Sequence, residues 1–226
     1  MILDECDAMT KDAQFALRRV IEKYSKNTRF CLICNYASKI IPALQSRCTR
    51  FRFAPLPKEF VRSRVEEVCR AEEVDVSESG LDAVVRLGGG DMRRTLNILQ
   101  STAMATTEDD GTGTLDEEAV YSNTGNPLPA DIQAVAKVLL NEGFGGSMAH
   151  VRRLQLEKGV ALVDILRELH PLVFGVAMDG MVRAALIEKM SDIEYRLAFG
   201  TNEKIQLGAL VGAFVEARQQ IVAGAK

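Results

Sequence analysis

The sequence predicts a mainly α-helical protein with an α/β part at its N-terminal end. Residues 1–54 alternate apolar runs with helical stripes, which is typical of parallel strands joined by helices. The rest of the chain shows apolar residues at spacings of three and four, the pattern of amphipathic helices packed together. Because Pro55 and Pro57 mark the change, we predict an α/β segment at 1–54 and helical segments at 55–124 and 125–226.

The first segment predicts the order strand, helix, strand, helix, strand. Met1–Leu3 is a short apolar strand, and Thr10 is placed to cap the helix that follows. The apolar run Phe30–Cys34 predicts a strand covered on both faces. A short helix around 40–44 leads to Thr49–Phe53, whose alternation predicts a strand with one wet face.

The 55–124 segment predicts four helices. Asp91 is expected to cap the third, Thr106–Gly113 to form a surface loop, and Thr114 with Glu117 to form a capping box for the fourth. The 125–226 segment predicts an antiparallel bundle of five helices. Its apolar stripes are Ile132–Leu139, Met148–Leu154, Leu162–Leu169, Val182–Leu197 and Ile205–Ile221.

Composition excludes several classes of protein. With 226 residues, 47% hydrophobic and 26% charged, the chain is neither disordered nor collagenous, and no apolar run is long enough to predict a membrane span. Five cysteines without a secretory signal indicate reduced thiols in a reducing compartment. Cys31 and Cys34 have C-x-x-C spacing, but zinc needs four ligands, so we interpret them as buried strand cysteines.

Charge is distributed unevenly along the chain. Residues 1–54 contain 10 Lys and Arg against 5 Asp and Glu, a net charge of +5. Residues 55–123 contain 7 against 15, a net charge of −8, and the remainder is balanced. A local basic surplus favours an anionic partner for the first segment.

Two adjacent acids, Asp4 and Glu5, follow the first predicted strand. In that position one acid can hold Mg²⁺ while the other orients and deprotonates an attacking water; the alternative is a strand end followed by a polar helix cap. Asn35 ends the adjacent predicted strand, which would place its amide beside the acids. Further on come Ser46-Arg47-Cys48 and Gly90-Asp91-Met92-Arg93.

These four motifs, in this order, resemble the Walker B, sensor 1, arginine-finger and sensor 2 motifs of AAA+ clamp loaders. The strings at 16–19, 35–48 and 91–100 are similar to those of replication factor C small subunits. Strings at 193–197 and 200–207 are similar to one small subunit of that family in particular. The resemblance implies a partial AAA+ parallel-sheet core at 1–54, a helical lid at 55–124 and a helical oligomerisation collar at 125–226.

The resemblance also implies roles for the site residues. Asp4 would hold the Mg²⁺ of a bound ATP, and Glu5 would activate the water. Asn35 would sense the nucleotide, and Arg93 would read the γ-phosphate of its own subunit. Arg47 would be a finger that acts on the nucleotide of the neighbouring subunit, where its permanent charge offsets the charge developing on phosphate.

Basic residues of the first segment are expected nearest to DNA. Lys39 lies just before the short helix, and clamp loaders present helix N-termini to the phosphates of a primer–template duplex. Arg18 and Arg19 lie on the first helix, where an ordinary solvated face is the alternative. Aromatic residues do not interleave these charges, so base readout is not indicated.

The function implied is that of one subunit of a nuclear, five-subunit, ATP-driven loader. Such a loader opens the PCNA sliding clamp and places it on primer–template DNA in replication and repair. A P-loop, G-x-x-x-x-G-K-[ST], does not occur in this sequence. Since the family has its P-loop before the acid strand, we expect the chain to match the C-terminal two thirds of a subunit and to bind no ATP alone. The alternatives are a collar-only scaffold without an ATPase role and a different AAA+ motor such as a helicase loader.

Overall fold

The computed structural model describes residues 1–110 and 114–224. The chain divides into two compact units, Met1–Ala54 and residues 55–226. Helices dominate both units, and one small parallel sheet lies in the first. The predicted fold class, mainly α with an α/β part, is confirmed. Within the part of the chain that the structure describes, none of the helices is long and apolar enough to cross a membrane.

The first unit is built on two short parallel strands. Ile2 pairs with Cys31 and Leu3 with Leu32. Thr10 begins the first helix as predicted, because its hydroxyl accepts a hydrogen bond from the Ala13 amide at 3.3 Å. The elements are β1 (Ile2–Leu3), α1 (Lys11–Tyr24), β2 (Cys31–Leu32) and α2 (Pro42–Gln45). The core that holds them together consists of Cys6, Leu17, Ile21, Ile40, Ile41 and Leu44.

In this unit one strand prediction is wrong and another is too long. Residues 49–53 form no strand, and Phe53 is 92% exposed. The predicted strand at 30–34 is reduced to Cys31–Leu32, with Ile33 47% exposed. An alternating or apolar stretch of sequence forms a strand only when a neighbouring strand pairs with its backbone. The described sheet has two strands, so residues 49–53 and the ends of the 30–34 stretch have no strand to pair with. Cys31 is accordingly exposed and Cys34 half-buried, which corrects the prediction of buried cysteines.

The second unit, over the residues that the structure describes, has helices as its regular elements together with an isolated bridge between Val76 and Leu115. Its first four helices pack on one hydrophobic cluster and its last five on another. The helices are α3 (Lys58–Ala71), α4 (Glu78–Gly88), α5 (Met92–Asp110), α6 (Glu117–Thr124), α7 (Pro129–Asn141), α8 (Phe144–Lys158), α9 (Leu162–Gly175), α10 (Gly180–Ala198) and α11 (Glu203–Gly224). The five helices of the last segment confirm the predicted bundle. Its division from the preceding segment as a separate domain stays a prediction.

Two local predictions around residue 110 differ from the structure. Helix α5 continues to Asp110, so residues 106–110 of the predicted loop are helical, and the loop's remaining residues lie outside the described ranges. Asp116, not Thr114, caps α6, because its carboxylate accepts from the Ala119 amide at 2.8 Å. The Thr114 hydroxyl donates to the Asp75 carboxylate at 2.7 Å instead. That bond lies beside the backbone hydrogen bonds that join Leu115 to Asp75 and Ser77.

The bundle of α7–α11 is expected to be better protected against hydrogen exchange than the sheet of the first unit. Its helices share a core of 20 buried residues, whereas the sheet consists of two paired residues in each strand. Backbone amides exchange when the structure around them opens, and opening costs little free energy where few side chains are buried. Hydrogen exchange read by mass spectrometry measures this difference. Equal protection at 31–32 and in α10 would contradict the expectation.

Candidate functional site

The acid pair lies at the carboxyl end of β1, and its backbone is unusual. Both Asp4 and Glu5 are exposed, and the Asp4 carboxylate accepts a hydrogen bond from the Glu5 amide at 2.9 Å. Glu5 has φ 52° and ψ 38°, the left-handed conformation that residues other than glycine rarely adopt. Such strain persists only where surrounding contacts enforce it, and it concentrates at functional sites. Nothing in the sequence around Glu5 announces this conformation.

Cys6 holds the turn that carries the acids. Its amide donates to the Ile33 carbonyl at 2.9 Å, and its thiol donates to the Leu3 carbonyl at 3.2 Å. The Cys6 side chain is fully buried, and this burial raises the pKa of its thiol. The thiol therefore stays neutral and acts as a small packing group beneath Asp4 and Glu5.

Asn35 follows β2 at the same edge of the sheet as the acids, because the two strands are parallel. Its backbone amide donates to the carboxylate of Asp7 at 3.4 Å. This contact is to Asp7 rather than to Asp4 or Glu5, and Asp7 was not singled out in the sequence. Asp7 is the third acid in the sequence Asp4-Glu5-Cys6-Asp7, and this closeness to the acid pair is the feature that could have identified it.

Gln14 is a buried polar residue that the sequence analysis also missed. Its side chain is 1% exposed, and its amide nitrogen donates to the carbonyls of Met9 at 3.2 Å and Lys39 at 3.1 Å. Its oxygen accepts from the Ile41 amide at 2.8 Å. The bonds with Lys39 and Ile41 thus fix α1 against the segment that enters α2, the helix that precedes Arg47.

Arg47 is exposed, and its guanidinium contacts other residues of the first unit. One terminal nitrogen donates to the Ala43 carbonyl at 2.8 Å. The other forms an ion pair with Glu22 of α1 at 2.8 Å. The same Glu22 oxygen pairs with Arg18 at 3.0 Å. The two guanidinium groups, Arg18 first, lower the pKa of the Glu22 carboxyl.

The remaining basic candidates of the first unit differ in their contacts. Arg18 is engaged by Glu22, whereas Arg19, one position on, is exposed and has no ion pair with any residue that the structure describes. The Lys39 ammonium lies over the ring of Tyr36, 4.8 Å from its centroid. Both side chains are exposed, so Arg19 and Lys39 are accessible to a phosphate.

Arg93 belongs to the second unit, where it lies in the first turn of α5 and is exposed. Asp91 caps this helix as predicted, since its carboxylate accepts from the Arg94 amide at 3.1 Å. Gly90, at φ 84°, turns the chain into the helix, and its carbonyl accepts from the Leu56 amide at 3.0 Å. A Cβ at position 90 would lie 2.7 Å from that of Pro55. The close approach requires glycine and fixes the start of α5 to the residues that lead into α3.

The acids fit a magnesium ion that is shared with a nucleotide. Mg²⁺ in such sites takes one or two carboxylates and completes its shell with phosphate oxygens and water. Only one Asp4 oxygen accepts the Glu5 amide, and a carboxylate has further lone pairs for a metal. The described residues contain no cluster of three or more metal-ligating side chains, so no all-protein cage is present among them.

Comparison with known proteins places these observations in a family. Residues 127–213 match the family model of the replication factor C C-terminal domain. The chain is 56% identical over 225 residues to replication factor C subunit 3 of Oryza sativa subsp. japonica, covering all of this chain and 61% of that protein. It is also 56% identical over 225 residues to replication factor C subunit 5 of Homo sapiens, covering 64% of it.

A yeast protein is similar at lower identity, and one solved structure gives a weak structural match. Replication factor C subunit 3 of Saccharomyces cerevisiae is 42% identical over 214 residues, which cover 94% of this chain and 63% of that protein. A solved structure of the Thermotoga maritima RuvB Holliday junction branch migration motor superposes with a TM-score of 0.48 at 12% identity, over 79% of this chain and 64% of its own. The chain thus spans about three fifths of the length of its curated relatives. By its sequence identity over nearly every residue and by its C-terminal domain, this chain belongs to the replication factor C family.

Proposed function

We propose that the protein is a subunit of a five-subunit clamp loader. The loader uses ATP and Mg²⁺ to open the PCNA sliding clamp and place it on primer–template DNA in the nucleus, in replication and repair. The observation that carries this proposal is the 56% identity over 225 residues, a stretch that extends over both the segment of the candidate site and the helical bundle. The partners are the other replication factor C subunits, the clamp and the DNA.

The acids act on a nucleotide in this proposal. Asp4 holds Mg²⁺ and Glu5 orients and deprotonates the attacking water, which needs a carboxylate that is exposed and close to the metal. Bound Mg²⁺ supplies charge stabilisation for the transferring phosphoryl group. Asn35, at the same sheet edge, senses the nucleotide.

The arginines act at two different nucleotides. Arg93, at the N-terminal end of a helix in the lid, reads the γ-phosphate of its own subunit. Arg47 reaches the nucleotide of the neighbouring subunit, where a guanidinium stabilises the transition state. DNA phosphates are contacted by Arg19 and Lys39, which are accessible, and by Arg18 after it leaves Glu22. These contacts position the duplex without reading bases.

Reconstitution tests this function against the scaffold alternative. The subunit is completed with the P-loop-bearing segment that its full-length relatives carry before the acid strand and is assembled with the other four subunits, and PCNA loading on primed DNA is measured. Substituting Glu5→Gln removes the base while keeping the shape, so a loader subunit should assemble normally and show reduced ATP turnover. A scaffold that contributes only its collar would load the clamp equally well with either residue.

The 226-residue chain by itself is expected to bind ATP with a dissociation constant weaker than about 1 mM, or about −4 kcal/mol. The reason is electrostatic: Asp4 and Glu5 repel phosphates unless P-loop amides and a lysine hold them, and the sequence has no P-loop motif. Calorimetric titration with MgATP measures the affinity. A micromolar constant would overturn this expectation.

A further inference from the structure

We propose that Glu22 is a positioning residue that holds the Arg47 guanidinium against α1 until the nucleotide of a neighbouring subunit competes for it. The inference rests on the proposed role of Arg47 as a finger. Its observation is the ion pair of 2.8 Å between Arg47 Nη2 and Glu22 Oε1. Because the two residues are 25 positions apart, this contact is made by the fold and not by helix periodicity.

The contact limits how far the guanidinium can extend, and it offsets the positive charge of the guanidinium. Arg47 is tethered at two points, to the Ala43 carbonyl at 2.8 Å and to Glu22. A finger must extend away from its own subunit and present a positive charge to phosphate. While Glu22 is bound, it holds the side chain back and offsets that charge. Release from Glu22 is therefore a step on the way to the active arrangement.

The strength of the pair suits a reversible catch. The side chains of Arg47 and Glu22 are 36% and 43% exposed, so water screens their attraction. An exposed ion pair shifts an equilibrium by at most about five-fold. A γ-phosphate, with its larger charge and three oxygens, outcompetes such a carboxylate. A fully buried pair would instead trap the finger.

Arg18 weakens the ion pair between Glu22 and Arg47, because it competes for the same oxygen of Glu22 at 3.0 Å. Each guanidinium weakens the hold of Glu22 on the other. Removing Arg18 should therefore tighten the grip on Arg47, while neutralising Glu22 should release it. The two substitutions are expected to shift the behaviour of Arg47 in opposite directions, which a simple loss of stability would not do.

The test uses the assembled loader without DNA or clamp, with every ATP site disabled except the one that Arg47 faces. Glu22→Gln should lower the ATP concentration for half-maximal turnover by about two- to five-fold, with the maximal rate changed little. Arg18→Gln should raise that concentration. Glu157→Gln is the matched control, since Glu157 pairs with Arg153 on the surface of α8, and it should change neither value.

The outcomes separate this inference from the proposed function. If Arg47→Ala leaves turnover at the facing site unchanged, the finger role fails and the inference with it. If Arg47→Ala lowers turnover but Glu22→Gln behaves as wild type or raises the half-maximal concentration, the inference alone is overturned. A second readout needs no activity: NMR titration of the Glu22 carboxyl should show its pKa rising in the Arg47→Ala chain, and an unchanged pKa would exclude the ion pair.

Discussion

In a loader assembled with this subunit completed by a P-loop-bearing N-terminal segment, Arg47→Ala is expected to lower ATP hydrolysis at the neighbouring subunit's site, while this subunit's own nucleotide still binds. In GTPases an arginine finger contributes about 10³ to 10⁵ in rate, and the other sites of a five-subunit machine dilute the loss in total turnover. Removal of the exposed pair with Glu22 would change stability little and leave hydrolysis unaffected. The expected loss therefore comes from chemistry and not from unfolding.

Clamp-stimulated ATPase and clamp loading measure the effect, with assembly checked by size-exclusion chromatography. Arg50→Ala is the matched control, because Arg50 is an exposed arginine three residues further along the same segment. It should behave as wild type. An intact Arg47→Ala complex with normal turnover and normal loading would show that Arg47 is not the finger.

Gln14→Leu is expected to loosen the joint between α1 and the segment before α2. The substitution keeps the approximate volume but leaves the Ile41 amide, which now donates to Gln14 at 2.8 Å, without its acceptor. A buried donor left without a partner costs about 1–3 kcal/mol. We expect the Ile41 amide to exchange about 5 to 150 times faster, since each 1.4 kcal/mol is about a factor of ten.

Hydrogen exchange followed by NMR measures the rate at this one amide. Gln45→Leu provides the comparison: Gln45 also donates to two backbone carbonyls, those of Ala37 and Ile40, but its side chain is exposed. Water can replace its hydrogen bonds, so the Ile41 rate should stay near that of wild type. Equal rates in the Gln14→Leu and wild-type chains would mean that Gln14 does not support this joint.

Local signals in the sequence were sufficient for the helices. The structure confirms the five helices predicted from the apolar stripes of 125–226 and the caps predicted at Thr10 and Asp91. Each of these signals consists of residues that lie in or next to the helix they predict. The predicted strand at 49–53 is wrong because a strand depends on a distant partner that periodicity does not reveal. Thr114 failed as a cap for a similar reason, since its partner, Asp75, lies 39 residues earlier.

The candidate site shows the same division between local and distant information. The acids, Asn35 and Arg47 were identified from motifs, and their roles stay proposals. Gln14 and Glu22 were not identified, because on a helix they read as ordinary polar residues. Their significance comes from contacts with Ile41 and Arg47, which only the fold brings near.

The left-handed backbone at Glu5 sets stability and activity against each other at a single position. A residue with a Cβ costs roughly 1–2 kcal/mol more than glycine in this conformation. Selection for thermal robustness alone would therefore favour glycine there and discard the carboxylate. A protein that keeps an acid at position 5 is therefore less stable than one with glycine there, which is expected if the carboxylate activates water as we propose. Engineering of hardier variants should leave this position untouched and seek its gains in the C-terminal bundle.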